Sequence, residues 1–140
     1  MPATETKPGP AILPAITQAN QGFWEHARRG VLALPHCRAC GHVWYPPSPG
    51  CPRCLGSDVE FRAVSGRARL WSWIVMHRQY LKEFPPPYIV AFVELKEGPM
   101  LVSTIVDSTA EELKCDAPLE AVFEPATPEM SILKFRVANK

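Results

Sequence analysis

A chain of 140 residues, 46% hydrophobic and 21% charged, has room for one compact domain or two very small ones, and a net charge of +1 gives it no global pull on nucleic acid. No apolar run approaches the roughly 18–20 residues that span a bilayer. The opening MPATETKPGPAILPA lacks the basic and then apolar pattern of a secretory signal, so the expected compartment is the cytoplasm and no membrane contact is expected.

Charge is unevenly spread. From His26 to Arg69 there are seven arginines against Asp58 and Glu60, a net of +5; from Leu70 onward seven basic residues face ten acidic ones, a net of −3. A basic head on an acidic body suits a phosphate-bearing ligand or an acidic partner near the head.

Residues 1–16 carry Pro2, Pro8, Pro10 and Pro14 with little apolar periodicity, and read as a flexible tail. In TQANQGFWEHARRG, Thr17 can cap a helix whose apolar face holds Phe23, Trp24, Ala27 and Val31, with Gly30 as its stop and Gly22 as its weak point. VLALPHC then reads as a short strand leading into CRACGHVWYPPSPGCPRC. Two C-x-x-C pairs, Cys37/Cys40 and Cys51/Cys54, supply four thiolates, which fill the tetrahedral shell of Zn²⁺ and leave no open position for a reacting water. The metal is therefore expected to be structural. Iron in a rubredoxin-like site is the chemical alternative, because a tetrahedral all-sulfur site suits it too. Gly41 and the pair Leu55-Gly56 follow the two knuckles, where a left-handed backbone is needed. His36 and His42 flank the ligands and read as exposed or supporting residues.

After Val59 the texture becomes β. VEFRAV alternates; ARLWSWIVM, YIVAFVEL and MLVSTIV follow, the last two joined by the turn KEGP; LEAVFE and SILKFRV close the chain. Between the third and fourth of these longer strands, Thr109 and Glu112 form a capping-box pattern for a short helix. The expected fold is mainly β: a helix and rubredoxin-like ribbon over residues 17–62, then a five-stranded OB-fold barrel over residues 63–140. The loop MHRQYLKEFPPPY brings aromatic and basic residues together as a binding surface. Cys115, distant from any histidine in sequence, reads as a buried structural thiol. No acid, base and nucleophile assemble, so catalytic residues are expected to be none.

The segments FWEHARRG, LPHCRACGHVWYPPSPGCPRCLGSD, SGRARLWSWIV and PPYIVAFVELKEGPMLVSTIVD together resemble the zinc-ribbon OB-fold family of acyl-CoA-associated proteins, over about residues 17–138. The resemblance implies an accessory subunit for a thiolase-like or lipid-transfer-protein-like enzyme (thiolase, acyltransferase or retro-aldolase), with some members serving hydratases instead. It also implies a coenzyme A ester at or near the interface. CoA phosphates would suit Arg38, Arg53 and Arg67, and the loop residues Tyr80, Lys82 and Phe84 are further candidates; adenine could stack on Trp44, Tyr45 or that loop. Cys115-Asp116 stands where the family carries a glycine turn. A nucleic-acid-binding ribbon and barrel is the alternative function, weakened by the acidic barrel half.

Overall fold

The computed structural model describes residues 13–138, so the expected tail lies outside them up to residue 12, while Leu13 packs against the core. One helix, α1 (Gln21–Ala27), precedes β1 (Ala33–Cys37) and β2 (Val59–Ala63), which pair antiparallel with Cys37 opposite Val59. The helix starts later than its expected cap. Thr17 and Asn20 bond reciprocally, the Thr17 N–H to Asn20 Oδ1 at 2.7 Å and the Asn20 N–H to Thr17 Oγ1 at 3.3 Å, and the helix begins only beyond that turn. Gly30, at φ +78°, ends it as expected.

The other strands are β3 (Arg67–Met76), β4 (Tyr88–Leu95), β5 (Met100–Ser103), β6 (Ile105–Val106), β7 (Pro118–Thr127) and β8 (Met130–Val137). They form one sheet in the order β5-β4-β3-β7-β8-β6. MLVSTIV was expected to be a single strand of a closed five-stranded barrel, and here the structure differs. Its first half pairs antiparallel with β4 and its second half parallel with β8, and the break falls at Thr104, whose carbonyl accepts the Phe135 N–H at 3.0 Å. One short segment thus serves both edges of an OB-like sheet that remains open between them. The two pairings use successive halves of the segment, Met100–Ser103 against β4 and Ile105–Val106 against β8, so it passes from one neighbour to the other at Thr104. Between β6 and β7, Ala110–Glu112 is a single 3-10 turn carrying the expected capping box, with the Thr109 N–H donating to Glu112 Oε1 at 3.0 Å.

Helix, ribbon and sheet share one core. Phe23, Trp24, Ala27, Leu32 and Leu34 join Leu70, Val93, Leu101, Leu119 and Phe135 in a continuous buried cluster. Gly22 is the point of closest approach, because a Cβ there would lie 2.4 Å from the Phe61 ring. The residue that weakens the helix in sequence is the one that lets β2 pack on it.

Gly22→Ala is accordingly expected to cost about 1–3 kcal/mol of stability in a denaturant titration, the usual penalty of overpacking. Most of that loss should be recovered in the double variant Gly22→Ala/Phe61→Leu.

Candidate metal centre and neighbouring clefts

Cys37 ends β1, Cys40 and Cys51 lie on the two knuckles, and Cys54 closes the second; all four Sγ atoms lie within 4.8 Å of one another. The contacts Cys37–Cys54 and Cys40–Cys51 are each 3.6 Å. That is far too long for a disulfide. It is close to the edge of about 3.8 Å of a tetrahedron whose metal–sulfur bonds are near 2.3 Å. The donor set fits Zn²⁺.

The knuckle backbone supports it. The Cys40 N–H points at Cys37 Sγ (3.4 Å) and the Arg53 N–H at Cys51 Sγ (3.3 Å). Backbone N–H of Cys40 brings the Cys37 thiol below its ordinary value against the cost of burial. Burial alone would push Cys51 up, yet the N–H groups of Cys54 and Arg53 bring it down to about 7. For Cys40, the His42 N–H pulls downward, but burial and the surrounding sulfurs outweigh it and hold the thiol at about 11. Cys54 is raised as well: the Gly56 N–H lowers it, and the Cys37 sulfur with burial prevails. The knuckle N–H groups thus favour the thiolate form at Cys37 and Cys51, while Cys40 and Cys54 are shifted the other way.

Around the cysteines the turn is held by Trp44, only 6% exposed, whose Nε1–H donates to Ser48 Oγ at 3.0 Å while Ser48 donates to the Gly50 carbonyl at 2.8 Å. Gly41 is left-handed as expected (φ +81°), but at the second knuckle the left-handed residue is Leu55 (φ +65°), not Gly56. Gly56 is needed for another reason, because a Cβ there would stand 3.3 Å from Cys54 Sγ. His36 Nδ1 lies 2.9 Å from the Leu34 carbonyl and His42 stacks on Trp44, so neither ring is among the four metal donors. Cys115 was expected to be buried; it is exposed, since its turn before β7 runs over the surface with Asp116 in the left-handed position (φ +65°).

The structure separates the other candidate residues. Arg38 is held between Asp58 (2.8 Å) and Glu60 (2.9 Å), and Arg62 pairs with Glu60. Arg69 pairs with Glu94 and Asp116. Asp58 and Glu60, the head's own acids, are thus spent on Arg38 and Arg62, and Arg69 alone is met by acids from beyond the head, a pairing that the count of charges along the chain could not reveal. Arg53 lines a cleft of about 460 Å³ between ribbon and the β4–β5 turn, together with His42, Glu97 and Met100. One carboxylate oxygen of Glu97 there is buried without a hydrogen-bond partner. Arg67 lines a second cleft, of about 570 Å³, on the other side of the turn, with Lys96 and the paired residues Arg69, Glu94 and Glu120. Tyr80, Lys82 and Phe84 lie on the loop at the opposite end of the β3–β4 hairpin, beyond the Met76–Tyr88 pair. Trp44 and Tyr45 are committed to packing, Tyr45 against Phe23 at 5.8 Å. Sequence reasoning missed Lys96, which only the register of β3 with β4 brings beside Arg67.

Residues 24–60 match the family model described as the ChsH2 rubredoxin-like zinc ribbon domain, and residues 61–124 the ChsH2 C-terminal OB-fold domain. The chain is 31% identical over 105 residues to a DUF35 domain-containing scaffold protein of Methanocaldococcus jannaschii, covering 71% of this chain and 73% of that one. It is 34% identical over 125 residues to a probable enoyl-CoA hydratase alpha subunit of Thermomonospora curvata, covering 89% of this chain but only 39% of the relative. A solved structure described as an Ltp2-ChsH2(DUF35) aldolase superposes with a TM-score of 0.81 at 33% identity, over 90% of this chain and 99% of that one.

Two measurements check the metal centre. Zinc titrated into the metal-free chain at pH 8, in buffers of different ionisation enthalpy, should release between about two and three protons, those of Cys40 and Cys54 and whatever fraction Cys37 still holds, because ligands must be deprotonated to bind and Cys51, at about 7, is already a thiolate. Release of about four would contradict the assigned pattern. Leu55→Gly should raise stability by about 1 kcal/mol without loss of zinc, since it removes a side chain from a left-handed position.

Proposed function

The chain belongs to the ChsH2/DUF35 family of zinc-ribbon OB-fold proteins, and from that premise we propose that it is a non-catalytic accessory subunit of an acyl-CoA enzyme. The observation that carries this is the match along nearly the whole length of the ChsH2(DUF35) chain of an aldolase described by both of its components. The metal is structural: four thiolates hold the ribbon and take no part in the partner's chemistry. The partner, a thiolase-like or lipid-transfer-protein-like subunit, supplies the nucleophile or the acid–base groups for making or breaking a carbon–carbon bond. A hydratase subunit is the second reading, favoured by the hydratase alpha subunit whose segment resembles this chain.

A coenzyme A ester lies at or near the interface in this reading. Of the candidate cations, Arg67 is the strongest. It stands beside Lys96 in a cleft whose acids are already paired, Glu94 with Arg69 and Glu120 with Arg136. Arg53 shares its cleft with Glu97, and Arg38 is neutralised by Asp58 and Glu60, so both are weaker anion ligands.

Co-expression with thiolase-like or lipid-transfer-protein-like enzyme subunits from the same genome should give a stoichiometric complex that binds CoA esters in calorimetry; no co-purification, with salt-sensitive oligonucleotide binding instead, would make the chain a nucleic-acid module. Within such a complex Arg67→Ala should weaken CoA-ester binding about tenfold, the loss of one hydrogen bond to a charged group. Arg53→Ala should change it little.

A further inference from the structure

The outer surface of the sheet is two different surfaces. On β7 and β8 it carries cross-strand ion pairs, Lys134–Glu124 and Arg136–Glu120, as a solvent-facing sheet should. On β3, β4 and β5, beyond the Arg69–Glu94 pair at one end, it is apolar. Of the nine large apolar side chains exposed among the described residues, seven sit on β3–β5 and the loop between β3 and β4. Phe92 lies opposite Ser72 on one side and Val102 on the other, and Ile74 lies opposite Val90 one step along the hairpin. Trp71 enters the same face because the register slips there: Leu70 pairs with Val93 and Ser72 with Phe92, leaving Trp71 as the bulged residue. Phe84, 6.1 Å from Tyr88 ring to ring, carries the stripe onto the loop beside Tyr80. Val102 is 64% and Ile74 57% exposed, and they belong to a contiguous apolar stripe rather than standing singly, which is the pattern that marks an interaction surface.

The geometry points to this stripe as the surface that docks on the enzyme subunit, an inference that rests on the accessory-subunit reading above. Two features of the stripe select a different protein as its occupant. Arginine lies over aromatic rings at both ends, Arg69 over Trp71 at 4.8 Å and Arg78 over Tyr80 at 5.4 Å, and aromatic residues with arginine are what tight protein interfaces concentrate. Unpaired cations also stand at both ends. Arg67 and Lys96 stand at one end beside Glu97, and Arg78 and Lys82 at the other beside Glu83, and none of the four cations forms an ion pair among the described residues. A second copy laid on the stripe in either direction would set two such cations against two others, which disfavours self-association. A partner with an apolar patch flanked by carboxylates complements it.

The test uses the full chain co-expressed with a thiolase-like or lipid-transfer-protein-like enzyme subunit from the same genome, and reads the Kd of the zinc-loaded pair. Val102→Glu and, separately, Ile74→Lys should raise Kd at least about 30-fold, the effect of losing an interface hot spot, while Glu129→Lys on the β7–β8 turn should leave it unchanged. Zinc content and the thermal transition establish that each variant is folded, and both substitutions fall on exposed positions. A complex that forms equally well with both stripe variants overturns the docking surface and leaves the accessory-subunit reading standing. If the wild-type chain forms no complex, both fall. Dimerisation of the wild-type chain alone, or its flotation with phosphatidylserine vesicles, would overturn the assigned occupant if Val102→Glu abolished it.

Discussion

The ribbon depends on the meeting of four sulfurs. Its own buried cluster consists of Cys37, Cys51 and Trp44, with Val59 packed alongside. Two of those residues are metal ligands, so the metal stands where a larger domain would place a hydrophobic core. Segments this small cannot bury enough apolar surface to offset chain entropy, and a tetrahedral metal supplies the missing free energy while fixing both knuckles to one point. The rest of the head is arranged around that point: Trp44, Ser48 and Gly50 lock the spacer, and β1 leaves the first knuckle directly into the shared core.

Because Leu32 and Leu34 of the β1 region pack with Leu70, Val93 and Phe135, the ribbon is continuous with the OB-like sheet. The helix completes this contact through Phe23, Trp24 and Ala27. The result is a rigid body presenting two clefts on either side of the β4–β5 turn and, next to them, an apolar sheet face. Such a body suits a scaffold, since a surface held in place before docking loses little freedom on binding.

Much of this was legible in the sequence. The cysteine spacing announced the clamp, Thr109 and Glu112 announced their turn, and the KEGP hairpin fell between Leu95 and Met100 as its residues required. What was hidden depends on contacts distant along the chain. Nothing near Arg38 or Arg69 reveals that Asp58, Glu60, Glu94 and Asp116 come to meet them. The split at Thr104 reflects pairing with β4 and then with β8, partners distant along the chain that a run of β-formers cannot encode locally. At the second knuckle the left-handed position falls on Leu55 while Gly56 packs beside the Cys54 sulfur, an assignment that the Leu-Gly pair leaves open in sequence. The β3–β5 strands are apolar on both faces, and such runs read as buried strands whether a protein's own core or a partner covers them.

The central claim is that a metal-held head and an open sheet serve to carry another enzyme rather than to react. Amide hydrogen exchange on the zinc-loaded chain, free and in complex with the enzyme subunit that co-purifies with it, tests this most directly. The account predicts that binding slows exchange in β4, β5 and the β3–β4 loop, while β7, β8 and the cysteine knuckles exchange as they do in the free chain. Protection confined to the knuckles or to the β7–β8 face, with β4 and β5 unchanged, would contradict it.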